Sequence, residues 1–127
     1  MNVKTEFETG MLITATGQKN AKETAYIPHA SFQGVSLKLL TGAQDTDGAV
    51  SVHLVRVEPH CCLETHTHPQ NLEIHKVVAG SGVAEIGTCT GPYHAGALGV
   101  IPMGVPHKVT AGADGLYILA TFSPALA

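Results

Sequence analysis

The chain has 127 residues, of which 44% are apolar and 13% charged, and its net charge is −3 at neutral pH. That is one domain's worth of polypeptide with enough apolar material for a core, which excludes a disordered or acidic solvating segment. No basic run marks a nucleic-acid partner, and no stretch is long and apolar enough to span a bilayer. Fourteen glycines, three Phe, three Tyr and no Trp suit short strands and frequent turns.

Met1–Gly17 carries charges but no extended apolar core, so it does not read as a secretory signal. Within it Met11–Thr14 is a short strand, and Gly17–Asn20 reads as a turn. Val35–Thr41 is a strand. Asp45–Gly48 is a turn whose Asp-Gly supplies a positive-φ position, and Ala49–Glu58 is a long strand stopped by Pro59. Leu63–His68 and Glu73–Ala79 are strands, with Gly80-Ser81-Gly82 read as a hairpin turn into Val83–Gly87. Cys89–Pro92 reads as a loop. Leu98–Ile101 and His107–Ala111 follow, then a turn at Gly112–Gly115 and a last strand, Leu116–Ser123. Punctuation every eight to twelve residues with no 3.6-residue period predicts an all-β sandwich or barrel in one domain, residues 1–127. Cys61 and Cys62 are adjacent and Cys89 is isolated, which is neither a disulfide framework nor a zinc-knuckle spacing. It favours a reducing cytoplasm.

Two linked patterns carry the chemistry. The first is His66-Thr-His68-Pro-Gln-Asn-Leu-Glu73, with Gly80 six residues on. The second is Gly96, five residues, Pro102-Met-Gly104, two residues, His107. A lone His-x-His is as readily a pair on a half-buried strand. Three imidazoles and a carboxylate together are a full protein ligand set for a divalent transition metal. Alternate strand residues face one side, so His66 and His68 project together. Closing a barrel would bring Glu73 and His107 to the same interior point.

These residues resemble the cupin superfamily, whose motifs read G-x5-H-x-H-x(3,4)-E-x6-G and G-x5-P-x-G-x2-H-x3-N. The matches are His66, His68, Glu73 and Gly80, then Gly96, Pro102, Gly104 and His107. His60 stands where the first motif opens with glycine, and Ala111 where the second closes with asparagine. The resemblance implies a jelly-roll β-barrel over residues 31–123. It implies one divalent metal (Fe, Mn, Ni, Cu or Zn) held by His66, His68, Glu73 and His107. It also implies a homodimer, with the extension at residues 1–30 packing across the pair.

Two further histidines are candidate catalytic residues. His75 shares a strand face with Glu73 and could donate a hydrogen bond or carry a proton. His53 lies on the Ser51, His53, Val55, Val57 face, and resemblance to small cupins turns that face inward. By the same comparison Leu119, Thr121 and Ser123, which share a face with Tyr117, would line the cavity. Tyr93 and His94 read as exposed loop residues near the barrel mouth. Cys62 shares strand parity with His66 and His68 and reads as a small buried thiol. Pro28 and His29 show no functional argument.

A metal with four protein ligands keeps positions open for a small molecule. The expected function is a dioxygenase-type oxidoreductase acting on a small chelating substrate. The alternatives are a Lewis-acid isomerase, lyase or cyclase, and a non-catalytic cupin that binds a sugar or an acid.

Overall fold

The computed structural model describes residues 3–127. A short helix, α1 (Val3–Thr9), precedes a hairpin of β1 (Met11–Thr14) and β2 (Gly17–Asn20). The main sheet holds β3 (Ile27–Pro28), β4 (Val35–Thr41), β5 (Ser51–Val57), β6 (Cys62–His66), β7 (Leu72–Ile86), β8 (Cys89–His94), β9 (Leu98–Ile101) and β10 (His107–Ser123). Helix α2 (Ala43–Thr46) links β4 to β5.

The pairing makes two layers. β3, β4, β5, the second half of β10, the first half of β7 and β9 form one. β6, the first half of β10, the second half of β7 and β8 form the other. Val35, Val55 and Val57 from the first layer pack with Leu63, Ala84, Tyr93 and Val109 from the second in one buried core. This is an all-β, jelly-roll architecture. Its ladder is open, running from β3 to β8, with β6 and β9 branching from β10 and β7.

Two expected turns, at Gly80–Gly82 and Gly112–Gly115, are instead bends within single strands. β7 passes through Gly80 and Gly82 without reversing, and β10 passes through Gly112 and Gly115. The two strands run side by side, with Gly82 opposite Ala111 and Gly80 opposite Leu116 across an irregularity. Gly80 has φ +84°, and a Cβ there would overlap the Gly115 carbonyl oxygen. Glycine here permits a strand to change layers, not a turn.

Other boundaries shift for local reasons. Gly17–Asn20 is the return strand of the first hairpin, whose turn falls at residues 15–16. Asp47 (φ 54°) and Gly48 (φ 80°) take the expected left-handed conformations, but they close a helical turn. Residues 89–94 are strand β8, paired with β7. Helix α1 is too short to register as a period in the sequence.

Residues of the amino-terminal segment lie on the outer face of this chain's own sheet. Lys38 Nζ donates to the carbonyls of Glu8 (2.7 Å) and Ala21 (3.1 Å). The Tyr26 hydroxyl donates to Glu8 Oε2 at 2.8 Å, and Lys4 Nζ reaches the Tyr117 hydroxyl at 3.4 Å. A cleft of about 360 Å³ between Phe7, Met11, Leu40 and Val52 lies there too, and no histidine lines it. No helix among the described residues is long and apolar enough to cross a membrane.

Candidate metal centre

His66 ends β6 and His107 begins β10, and the two are direct partners in register. Their ring centroids lie 4.2 Å apart. His68 falls just past the end of β6, yet its ring stays 5.0 Å from that of His66. Possible ligand atoms of His66, His68 and His107 all lie within 4.8 Å of one another. Nitrogens on one cation at bond lengths of about 2.1 Å sit roughly 3–4 Å apart, so small side-chain rotations suffice to close the set.

Glu73 comes from the other layer, on β7. Its Oε1 lies 3.2 Å from His107 Nε2 and 3.6 Å from His68 Nε2. The pair with His107 is near enough for charge interaction but out of line for a hydrogen bond, and both atoms are buried without a hydrogen-bond partner. His107 Nδ1 donates to the Val105 carbonyl at 3.0 Å. A carbonyl only accepts, so Nδ1 holds the ring's proton and Nε2 presents a lone pair to a carboxylate oxygen. Two buried acceptors facing each other need a cation between or beside them. A proton on Nε2 is one solution and a metal ion the other, so the residues fit a metal.

His66 repeats the device: its Nδ1 donates to the Glu64 carbonyl at 2.6 Å, leaving Nε2 with a free lone pair. Each ring is thus oriented by the carbonyl two residues before it, as outer partners orient metal-binding imidazoles.

The electrostatics follow from burial and contact. Burial lowers the pKa of His66 and His68, keeping both neutral. Burial works in the same direction on His107, but its contacts with Glu73 and Val105 outweigh this and raise it. Burial alone would raise Glu73; the His107 and His75 contacts prevail and hold its carboxyl well below the usual range.

His75 reaches the centre through Glu73. Its Nε2 donates to Glu73 Oε2 at 2.8 Å, and its Nδ1 lies 2.9 Å from the Tyr93 hydroxyl. Because the carboxylate takes the Nε2 proton, Nδ1 accepts and Tyr93 donates. Burial, with the Glu73 charge, pushes the Tyr93 phenol up to about 12, so it stays an O–H donor. Tyr93, expected on an exposed loop, is 5% exposed. The Gly-Pro before it hides strand β8 in the sequence. His94 is exposed.

The remaining expectations divide. His53 faces inward, 5% exposed, with Nε2 3.0 Å from Ser51 Oγ and its ring edge-on to Phe122. It stands behind the cavity wall. Leu119, Thr121 and Ser123 do not line the cavity. Leu119 opposes Leu54 and Tyr117 opposes Arg56 on the outer face, while Ile118 and Phe122 face the histidines. Both faces of β10 are apolar, so parity was not readable from composition. Cys61, Cys62 and Cys89 are free, and Cys62 Sγ lies 3.4 Å from Thr110 Oγ1. His60 takes φ 61°, the left-handed conformation natural to the glycine it replaces in the motif.

The cavity beside the cluster measures about 60 Å³. Its wall beyond the candidate ligands and His75 is Leu37, Val55, Leu63, Ile118, Phe122 and Leu126, with His29 the one further polar residue. No pattern in the sequence marks His29 or Leu126. Pro28-His29 sits in a stretch without pattern, and its place is fixed only when β3 joins β4.

A family profile described as Cupin domain matches residues 53–120. Comparison with curated proteins found no match. Among solved structures, KdgF from Halomonas sp. superposes with a TM-score of 0.72 at 18% identity, over 81% of this chain and 88% of that one. A predicted oxalate decarboxylase from Thermotoga maritima gives 0.73 at 18% identity, over 81% and 95%. An RmlC-like cupin from Shewanella frigidimarina gives 0.72 at 18%, over 83% and 87%. At that identity the superpositions speak for the fold alone.

Proposed function

This chain belongs to the cupin family, and we propose that it is a metal-dependent enzyme acting on a small oxygen-donor substrate, of dioxygenase type. The observation that carries the metal is the buried, hydrogen-bond-orphaned pair of Glu73 Oε1 and His107 Nε2, 3.2 Å apart. His66, His68 and His107 would bind through nitrogen and Glu73 through Oε1. A divalent transition metal there supplies Lewis acidity and, for Fe, Mn, Ni or Cu, a route for electrons to dioxygen.

The chain's own residues have separate tasks. His75 holds Glu73 Oε2, so that Oε1 is the oxygen turned toward the imidazoles. Tyr93 in turn fixes His75. We assign both as positioning residues. The apolar wall excludes water and strengthens each electrostatic contact inside. That wall offers no lysine, arginine or second carboxylate. The fit to a homodimer rests on exposed Met11 and Ile13 (52% and 74% exposed) in the amino-terminal hairpin, and sedimentation velocity tests it.

The deciding experiment is metal analysis of protein purified without nickel resin, followed by oxygen uptake on a panel of β-diketones, catechols and 2-oxo acids. Metal-dependent uptake with product supports the proposal. Product without uptake moves the chain to the Lewis-acid class, and tight binding without product makes it a binding module. Protein that takes up no transition metal refutes the reading.

A further inference from the structure

We infer that His29 anchors the outer oxygen of the substrate at the metal centre. This rests on the metal reading above and goes beyond it by naming a second point of substrate contact. His29 follows β3, and its backbone N–H donates to the Val35 carbonyl at 2.8 Å. Its ring is fixed on two sides. Nδ1 accepts the backbone N–H groups of Ser31 (3.0 Å) and Phe32 (3.2 Å). One face stacks on Phe32, with centroids 4.4 Å apart and planes at 14°. Phe32 in turn packs against His66 at 5.4 Å.

With Nδ1 occupied as an acceptor, the ring's proton belongs on Nε2. That N–H has no hydrogen-bond partner among the described residues, although His29 lines the cavity with His66, His68, Glu73 and His107. It is the one polar lining residue not engaged in the candidate centre or in holding Glu73. A half-buried imidazole held in one tautomer, its free donor beside a cation site, is built to receive an acceptor oxygen.

The cavity sets the class of ligand. Its volume of about 60 Å³ has room for on the order of four to six small heavy atoms. A compact anion with two or more oxygens, one for the metal and one for His29, meets both demands. The pocket is partly open, so a larger ligand would project outward from it.

Co(II)-loaded protein, titrated with oxalate and followed by its visible absorption, tests this. His29→Phe keeps the stack on Phe32 but removes both the Nε2 donor and the Nδ1 acceptor of the Ser31 and Phe32 N–H groups; His29→Gln offers an N–H and an accepting oxygen together. Co(II) content and affinity should be equal in all three proteins. Oxalate affinity should fall about tenfold or more in His29→Phe and recover largely in His29→Gln. Azide, which needs one point of contact, should bind within twofold throughout. Equal oxalate affinity in Co(II)-loaded wild type and His29→Phe overturns the role of His29 and leaves the metal centre standing. Failure of the wild type to hold Co(II) overturns both. Independently of metal, long-range 1H–15N spectra should find His29 as the Nε2–H tautomer, and an Nδ1–H signal would refute the argument.

Discussion

Removing one oxygen atom, in Tyr93→Phe, should weaken the metal centre from two residues away. The ring stays, so apolar burial is nearly unchanged. What goes is the donor at 2.9 Å to His75 Nδ1, between groups 5% and 2% exposed. A buried acceptor stripped of its partner costs about 1–3 kcal/mol, which lowers the melting temperature by roughly 3–10 °C in a domain of this size. Freed from Tyr93, His75 can turn or change tautomer, and Glu73 loses the support of Oε2. Loss of such an outer partner lowers metal affinity about 10–100-fold. The assay is competition for Zn(II) against a chromophoric chelator, with thermal melts of the metal-free protein. Gly99→Ala attacks the same contact from the other side, because a Cβ there would overlap the Tyr93 hydroxyl. The double variant should fall little below the worse single one, since both break one interaction. Wild-type affinity and melting temperature in Tyr93→Phe would refute the reasoning.

His107→Ala removes a ligand. If a binding energy of about 10–16 kcal/mol is shared by four donors, the loss is roughly 2.5–4 kcal/mol, about a hundredfold to several hundredfold in affinity; wild-type metal content after dialysis against chelator would exclude His107. His60→Gly relieves a left-handed non-glycine residue at an exposed position and should stabilise by about 0.5–1 kcal/mol in urea melts. Gly80→Ala meets positive φ and the Gly115 carbonyl together, so it should destabilise by about 2–5 kcal/mol, or prevent folding; a wild-type denaturation midpoint would contradict the corner's geometry. Metal-free protein should lose stability on acidification. His53, His66 and His68 have folded pKa values below 6.5, because burial disfavours their charged forms. The unfolded chain therefore takes up more protons as pH falls through 6.5. Glu73, held low by His107 and His75 against its burial, stabilises above its unfolded value of 4.5, and that stability is lost as pH falls below it. His107, raised, opposes in sign. A melting temperature that rises from pH 7.5 to 5 would show that His107 dominates.

Much of the centre is written locally. His66, His68 and Glu73 lie within eight residues of one another, and His107 falls at a fixed distance from Gly96, Pro102 and Gly104. What escaped depends on long-range registry. Gly80-Ser81-Gly82 and Gly112–Gly115 look like turns because glycine marks both a reversal and a bend, and only the pairing of β7 with β10 separates the two. Tyr93 looked exposed because Gly91-Pro92 disguises its strand. His29 carries no periodic signal at all. It enters the site because β3 pairs with β4, placing Phe32 against His66.

The candidate donors are split between layers: His66 and His107 are neighbours on one sheet, while Glu73 starts a strand on the opposite one. An ion gripped by all of them would rivet the two halves of the sandwich together. Thermal resistance should then climb with free metal concentration, by about 4 kcal/mol at a thousand times the dissociation constant. The mouth of the molecule would be the first part to loosen when metal is withdrawn.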